Sequence, residues 1–217
     1  MTLALPAPAA LAVPDANTIE FSNCTLTMPG TTATAPARCG FLEVPEDPAS
    51  PDGRRIRLHV AVADAGSHSP RPDPLFFFAG GPGQAASETW VMIRQSLRKV
   101  RKERDIVMVD QRGTGQSNPL QCASDAAMDL DATIDYEEIT REAERCRDSL
   151  DGDPRFYTTT VAMQDIDAVR RAMGYEQINL LGVSYGTRAA QVYLREFPET
   201  VRSVVLDSVV PMQLALG

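Results

Sequence analysis

Three stretches of this chain have residue types and spacings suited to chemistry. Gly182-Val183-Ser184-Tyr185-Gly186 is a Gly-x-Ser-x-Gly pentapeptide. A serine hydroxyl attacks a carbonyl when a base removes its proton and fixed donors meet the oxyanion that forms. Gly80-Gly81-Pro82-Gly83-Gln84 is a glycine-rich loop whose uncrowded backbone N–H groups suit an oxyanion. It lacks Gly-x-Gly-x-x-Gly spacing and any Gly-Lys-Ser/Thr, which sets nucleotide phosphate aside. Asp110-Gln111-Arg112-Gly113-Thr114-Gly115-Gln116-Ser117 is a tight turn, across which Asp110 and Arg112 are expected to pair.

A bare Gly-x-Ser-x-Gly also describes a loop serine between two turn glycines, so its flanks decide. Ile178 to Leu181 is an apolar run suited to a buried strand. From Thr187 the period becomes helical, with Ala189, Ala190, Tyr193, Leu194 and Phe197 on one face and Pro198 as the stop. Strand, sharp turn and helix are the context in which such a serine is a nucleophile at a helix N-terminus.

The other elements follow the same logic. Cys39 to Val44 is expected as the first strand, and Ile56, Leu58, Val60 and Val62 alternate as a half-buried second one. His59 falls on the polar side of that strand and reads as a surface residue; His68 lies in a loop and reads as solvated. Leu75 to Phe78 and Ile106 to Val109 are short buried strands leading into the glycine loop and the Asp110 turn. Ser87 to Lys102 is expected as a helix buried through Trp90, Ile93, Leu97 and Val100, its basic end solvated. Asp135 caps a helix to Leu150, with Glu138 as capping-box partner and Ile139, Ala143 and Cys146 on its apolar face. A further helix, with Ala162, Ile166, Val169 and Met173 in phase, ends at Gly174; Val201 to Leu206 is the sixth strand, ending at Asp207. Strands alternating with helices give a mostly parallel α/β sheet flanked by helices.

The chain has 217 residues, 43% hydrophobic and 23% charged, with a net charge of −8. That balance argues against nucleic acid and anionic membrane as partners, and no stretch is long and apolar enough to span a bilayer. No cofactor or metal pattern is present. Leu3 to Val13 is small and apolar and ends in Ala10-Leu11-Ala12, like a secretory signal before its cleavage site. Pro6 and Pro8 interrupt it and no basic residue precedes Arg38, so two readings stay open: a signal remnant, or an Ala/Pro leader on a cytoplasmic protein. The four cysteines pair most simply as Cys24 with Cys39 and Cys122 with Cys146; the alternative is four buried thiols. The leader favours disulfides and a secreted or periplasmic protein.

The three motifs occur in this order in one family. The chain resembles the N-terminal half of an α/β-hydrolase of the proline iminopeptidase and secreted tripeptidyl aminopeptidase group. The resemblance includes Ser184-Tyr185-Gly186-Thr187-Arg188 and Val205-Leu206-Asp207-Ser208-Val209-Val210-Pro211. Ala79 departs from the iminopeptidases, which have His there, and points to the tripeptidyl branch. The resemblance implies Ser184 as nucleophile, with Tyr185 N–H and Gly81 N–H as the oxyanion hole. It also implies export, disulfides and a peptide substrate with a free N-terminus. In this fold the order is Ser, then Asp/Glu, then His, and no histidine follows Ser184. Asp207 reads as structural, because the family's acid lies on a later strand end.

The expected organisation is a leader and extension at 1–37 and the N-terminal part of a catalytic domain at 38–217, truncated after the sixth strand. The cap domain, triad acid and base belong to a missing C-terminal half. The function implied is an exported serine aminopeptidase, incomplete as given. The alternatives are an esterase on the same fold, or a non-catalytic binding module that keeps the serine turn.

Overall fold

The computed structural model describes residues 18–122 and 135–214. Among them seven strands form one sheet, in the order β1-β2-β3-β5-β4-β6-β7. β1 (Ser22–Thr27), β2 (Thr34–Pro45) and β3 (Arg55–Ala63) form an antiparallel meander, and β3 pairs antiparallel to β5 (Ile106–Val109). From β5 the sheet is parallel through β4 (Leu75–Phe78), β6 (Ile178–Val183) and β7 (Val201–Asp207). Sequence patterning gives six strands and misses β1, whose Ser-Asn-Cys-Thr-Leu-Thr buries only Leu26 fully. The Cys24–Cys39 disulfide ties β1 to β2, with Cα atoms 5.8 Å apart.

The central strands read as continuous apolar runs because both faces are covered. Phe76 and Phe78 face α3 (Thr159–Ala172) and α4 (Tyr185–Glu196), joining Met163, Ile166, Ala190 and Tyr193 in one core. Leu75 and Phe77 point the other way, onto Trp90 and Val91 of α1 (Ala86–Ile93).

Two helix expectations change. α1 stops at Ile93 and the chain continues in turns to Arg104, with Leu97 and Val100 only partly buried. α2 (Tyr136–Ser149) is capped as expected, its Asp135 carboxylate accepting from Glu137 and Glu138 N–H at 2.9 and 3.2 Å. Its apolar stripe, however, finds no core partner among the described residues: α2 buries no residue and Ile139 is 52% exposed. A disulfide to Cys122 ties the helix down at Cys146. α3 keeps its predicted face and ends at Ala172, with Gly174 just past its cap, whose φ of 74° carries the chain out of the helix.

Candidate active site

The chemistry-bearing segments meet at one end of the sheet, where the parallel strands finish. β6 ends at Val183 and α4 starts at Tyr185, so Ser184 alone makes the turn, at φ 54° and ψ −122°. Its N–H donates to Asp207 O at 2.9 Å, and its carbonyl accepts from Thr187 N–H and Thr187 Oγ1 at 2.9 and 2.6 Å. The flanking glycines are required by space. A Cβ on Gly182 would strike Gly186 O, and one on Gly186 would strike Phe78 O and come within 2.7 Å of Ala79 O. Strand and helix can pass this closely only without those side chains.

Register brings the glycine loop to the same place. Phe78 pairs with Gly182, so the chain leaving β4 runs beside the turn, and a Cβ on Gly80 would lie 3.2 Å from Ser184 Cβ. Gly81 has φ 103° and is exposed. Tyr185 N–H belongs to the first turn of α4, whose N–H groups lack intrahelical acceptors. Ser184, Tyr185 and the Gly80–Gly83 loop are therefore neighbours, as the sequence reading requires of them. A cavity of about 190 Å³ opens beside them, lined among others by Gln84, Gln111, Tyr157, Thr159 and Tyr185. Tyr185 and Thr159 share a hydroxyl hydrogen bond of 2.7 Å. Burial and a bond to Glu46 raise the Tyr157 phenol above its ordinary value, keeping it neutral.

Asp110 and Arg112 do not pair with each other. Arg112 turns to Asp165, donating through Nε and Nη2 at 2.6 and 2.8 Å. Its remaining donors reach the carbonyls of Glu46, Phe156 and Pro45 at 2.6, 3.1 and 3.2 Å. All five donors of the guanidinium are used, so Arg112 lines the cavity without offering it a free one.

His59 is the larger correction. It is 1% exposed, and its Nδ1 lies 3.0 Å from Asp110 Oδ2. Strict alternation puts it on the outer face, but the Asp110 turn folds over that face and supplies a partner for the ring. The cluster was invisible in sequence because it needs β3 to pair with β5, which brings Val60 opposite Val109, far along the chain and out of chain order past β4. His59 is not a base for Ser184. Three strand spacings separate β3 from β6, roughly 14 Å at about 4.8 Å per strand. Asp207 is exposed and serves the turn through its backbone carbonyl.

Residues 73–216 match the family described as alpha/beta hydrolase fold. Tripeptidyl aminopeptidase of Streptomyces lividans is 33% identical over 191 residues, covering 81% of this chain and 36% of that protein. Serine protease Hip1 of Mycobacterium tuberculosis (strain ATCC 25618 / H37Rv) is 33% identical over 207 residues, covering 88% of this chain and 39% of that protein. Among solved structures, a putative acyltransferase from Salmonella enterica superposes with a TM-score of 0.51 at 17% identity, over 88% of this chain and 46% of that one. The chain thus spans a little over a third of the length of these curated relatives. No helix among the described residues is long and apolar enough to cross a membrane. The serine turn and the glycine loop both fall inside the matched region, and the chain belongs to the α/β-hydrolase family.

Proposed function

We propose that Ser184 is the nucleophile of an exported serine aminopeptidase that releases short peptides or residues from free N-termini. The observation that carries this is the juxtaposition at the C-terminal end of the parallel strands: a serine forced to φ 54° at a helix N-terminus, with the Gly80–Gly83 loop packed against it. The names of the relatives support a peptidase over other hydrolases.

In the proposed reaction Ser184 Oγ bonds to the acyl carbon as its proton passes to a base. The N–H groups of Tyr185 and Gly81 receive the oxyanion. Collapse of the tetrahedral adduct breaks the C–N bond, the amine leaves with the proton, and water then hydrolyses the acyl-enzyme. No histidine follows Ser184 in these 217 residues. In this proposal acid, base and the cap that grips the substrate's N-terminus come from further sequence of the kind that the longer relatives have outside the matched stretch. Residues 38–217 would then be the N-terminal part of the catalytic domain, and residues 1–37 the leader and extension.

The test is made in the full-length protein. Ser184→Ala should lower kcat on the order of 10⁶-fold while leaving thermal unfolding in place. A fluorophosphonate should label Ser184 and no other serine. Peptides with acetylated N-termini should be refused. Turnover of esters but not of free peptides would replace the aminopeptidase by an esterase; labelling elsewhere would remove Ser184 from the role.

A further inference from the structure

Asp110 is fully buried and its carboxylate accepts four hydrogen bonds. Oδ1 takes Ser87 N–H at 2.9 Å; Oδ2 takes Ser87 Oγ at 2.9 Å, Gln116 N–H at 3.3 Å and His59 Nδ1 at 3.0 Å. A carboxylate only accepts, so His59 Nδ1 is assigned as the donor of its bond. Gly115 packs closely against the group: a Cβ there would strike Asp110 Oδ2 and come within 2.7 Å of Ala85 Cβ. His59 is itself fixed, its N–H donating to Ser117 Oγ at 2.8 Å and its carbonyl accepting from Asp110 N–H at 3.1 Å.

The destination of these bonds matters. Ala85 occupies the N-cap of α1 and has no side chain that can cap it. Asp110, just past the end of β5, supplies the missing carboxylate to Ser87 N–H, where an anion also suits the helix dipole. Gln84, the last residue of the glycine loop, directly precedes that cap. The loop is thus anchored upstream by β4 on β6 and downstream by Asp110 on α1.

We infer that His59 and Asp110 are positioning residues that hold the Gly81 N–H where the oxyanion forms. This rests on the proposed role of Gly81, and neither residue touches the reacting atoms. The donor at His59 Nδ1 fixes the Asp110 carboxylate, and the carboxylate fixes the start of α1 and with it the loop.

Two side chains of similar size separate positioning from packing. Asn places an amide N–H where Nδ1 stands; Gln carries its amide farther out. In the full-length protein His59→Gln should slow covalent fluorophosphonate capture of Ser184 by about 10²-fold, the scale of a 1 Å misplacement, with reversible binding of the probe little changed. His59→Asn should recover most of that rate. Amide exchange across residues 80–84 should quicken in the Gln variant and not in the Asn variant, while β6 stays protected. Equal rates in all three proteins, equal losses in both variants, or global unfolding in both would overturn the inference and leave His59 a core residue. If the unaltered protein does not react at Ser184, the proposed function fails first. The exchange arm then still decides whether His59 holds the loop.

Discussion

Ser184 stands in a backbone region that costs an L-residue about 1–3 kcal/mol. The cost is held in place by contacts on both sides: Asp207 O on its N–H, Thr187 on its carbonyl, and the close passage of Gly182 and Gly186. A glycine at 184 would lose the strain and give back about 0.5–1 kcal/mol in chain entropy. Ser184→Gly is therefore expected to be more stable by about 1 kcal/mol, raising Tm by about 2–4 °C, while losing turnover. An earlier melt would contradict the strain account. Gly186→Ala should act in the opposite direction, because the new methyl group meets the backbone oxygens of Phe78 and Ala79, which cannot swing away. A loss of about 1–3 kcal/mol in chemical denaturation is expected, with slower labelling of Ser184.

The parallel strands are tied at the end opposite the site as well. Asp73, just before β4, accepts from Arg104 Nε at 3.0 Å and Asn179 Nδ2 at 2.9 Å, and pairs with Arg202 Nε of β7 at 2.5 Å. Asn179 continues the tie through Oδ1, which accepts from Arg202 Nε and Ser203 Oγ. Burial pushes the Asp73 carboxyl up, but the bonds from Asn179 and Arg104 outweigh it and hold the group below its ordinary value. A depressed carboxyl contributes stability above its unfolded value, near pH 4, and loses it as pH falls through the folded value. Asp73→Asn should thus be less stable at pH 7 and show a flatter acid limb in urea titrations between about pH 5 and 2. An unchanged limb would remove Asp73 from acid unfolding. None of this was legible in the sequence, where Asp73 is one acid in a Pro-rich loop. What was legible were elements whose burial is local and two-sided: Leu75 to Phe78, Ile106 to Val109, the Ser184 turn and the α3 face. What was missed depends on partners far along the chain. β1 needs β2 and a disulfide, His59 needs Asp110, and Arg112 needs Asp165 rather than its neighbour. The exposed stripe of α2 is the converse case, a correct amphipathic pattern that finds no partner among the described residues.

At the scale of the molecule the sheet has two unequal edges. β1 closes one with a short, polar strand. β7 forms the other, paired only to β6 among the described residues. Its outer N–H and C=O groups face no strand, and it is more open than any other strand of the parallel half, with Val205 56% exposed. Val209 and Leu214 just beyond it are 55% and 53% exposed. A strand edge beside an apolar surface recruits another chain. Residues 1–217 expressed alone are therefore expected to associate in a concentration-dependent way, read by multi-angle light scattering. Val205→Lys, a charge on the exposed face of that strand, should shift the population toward monomer, since edge lysines oppose further pairing. Association should be lost when the chain is extended to the length of its relatives, if the added sequence continues the sheet past β7. A monodisperse monomer of residues 1–217 across the measured concentrations would show that the β7 edge is already protected, and would end this account of it.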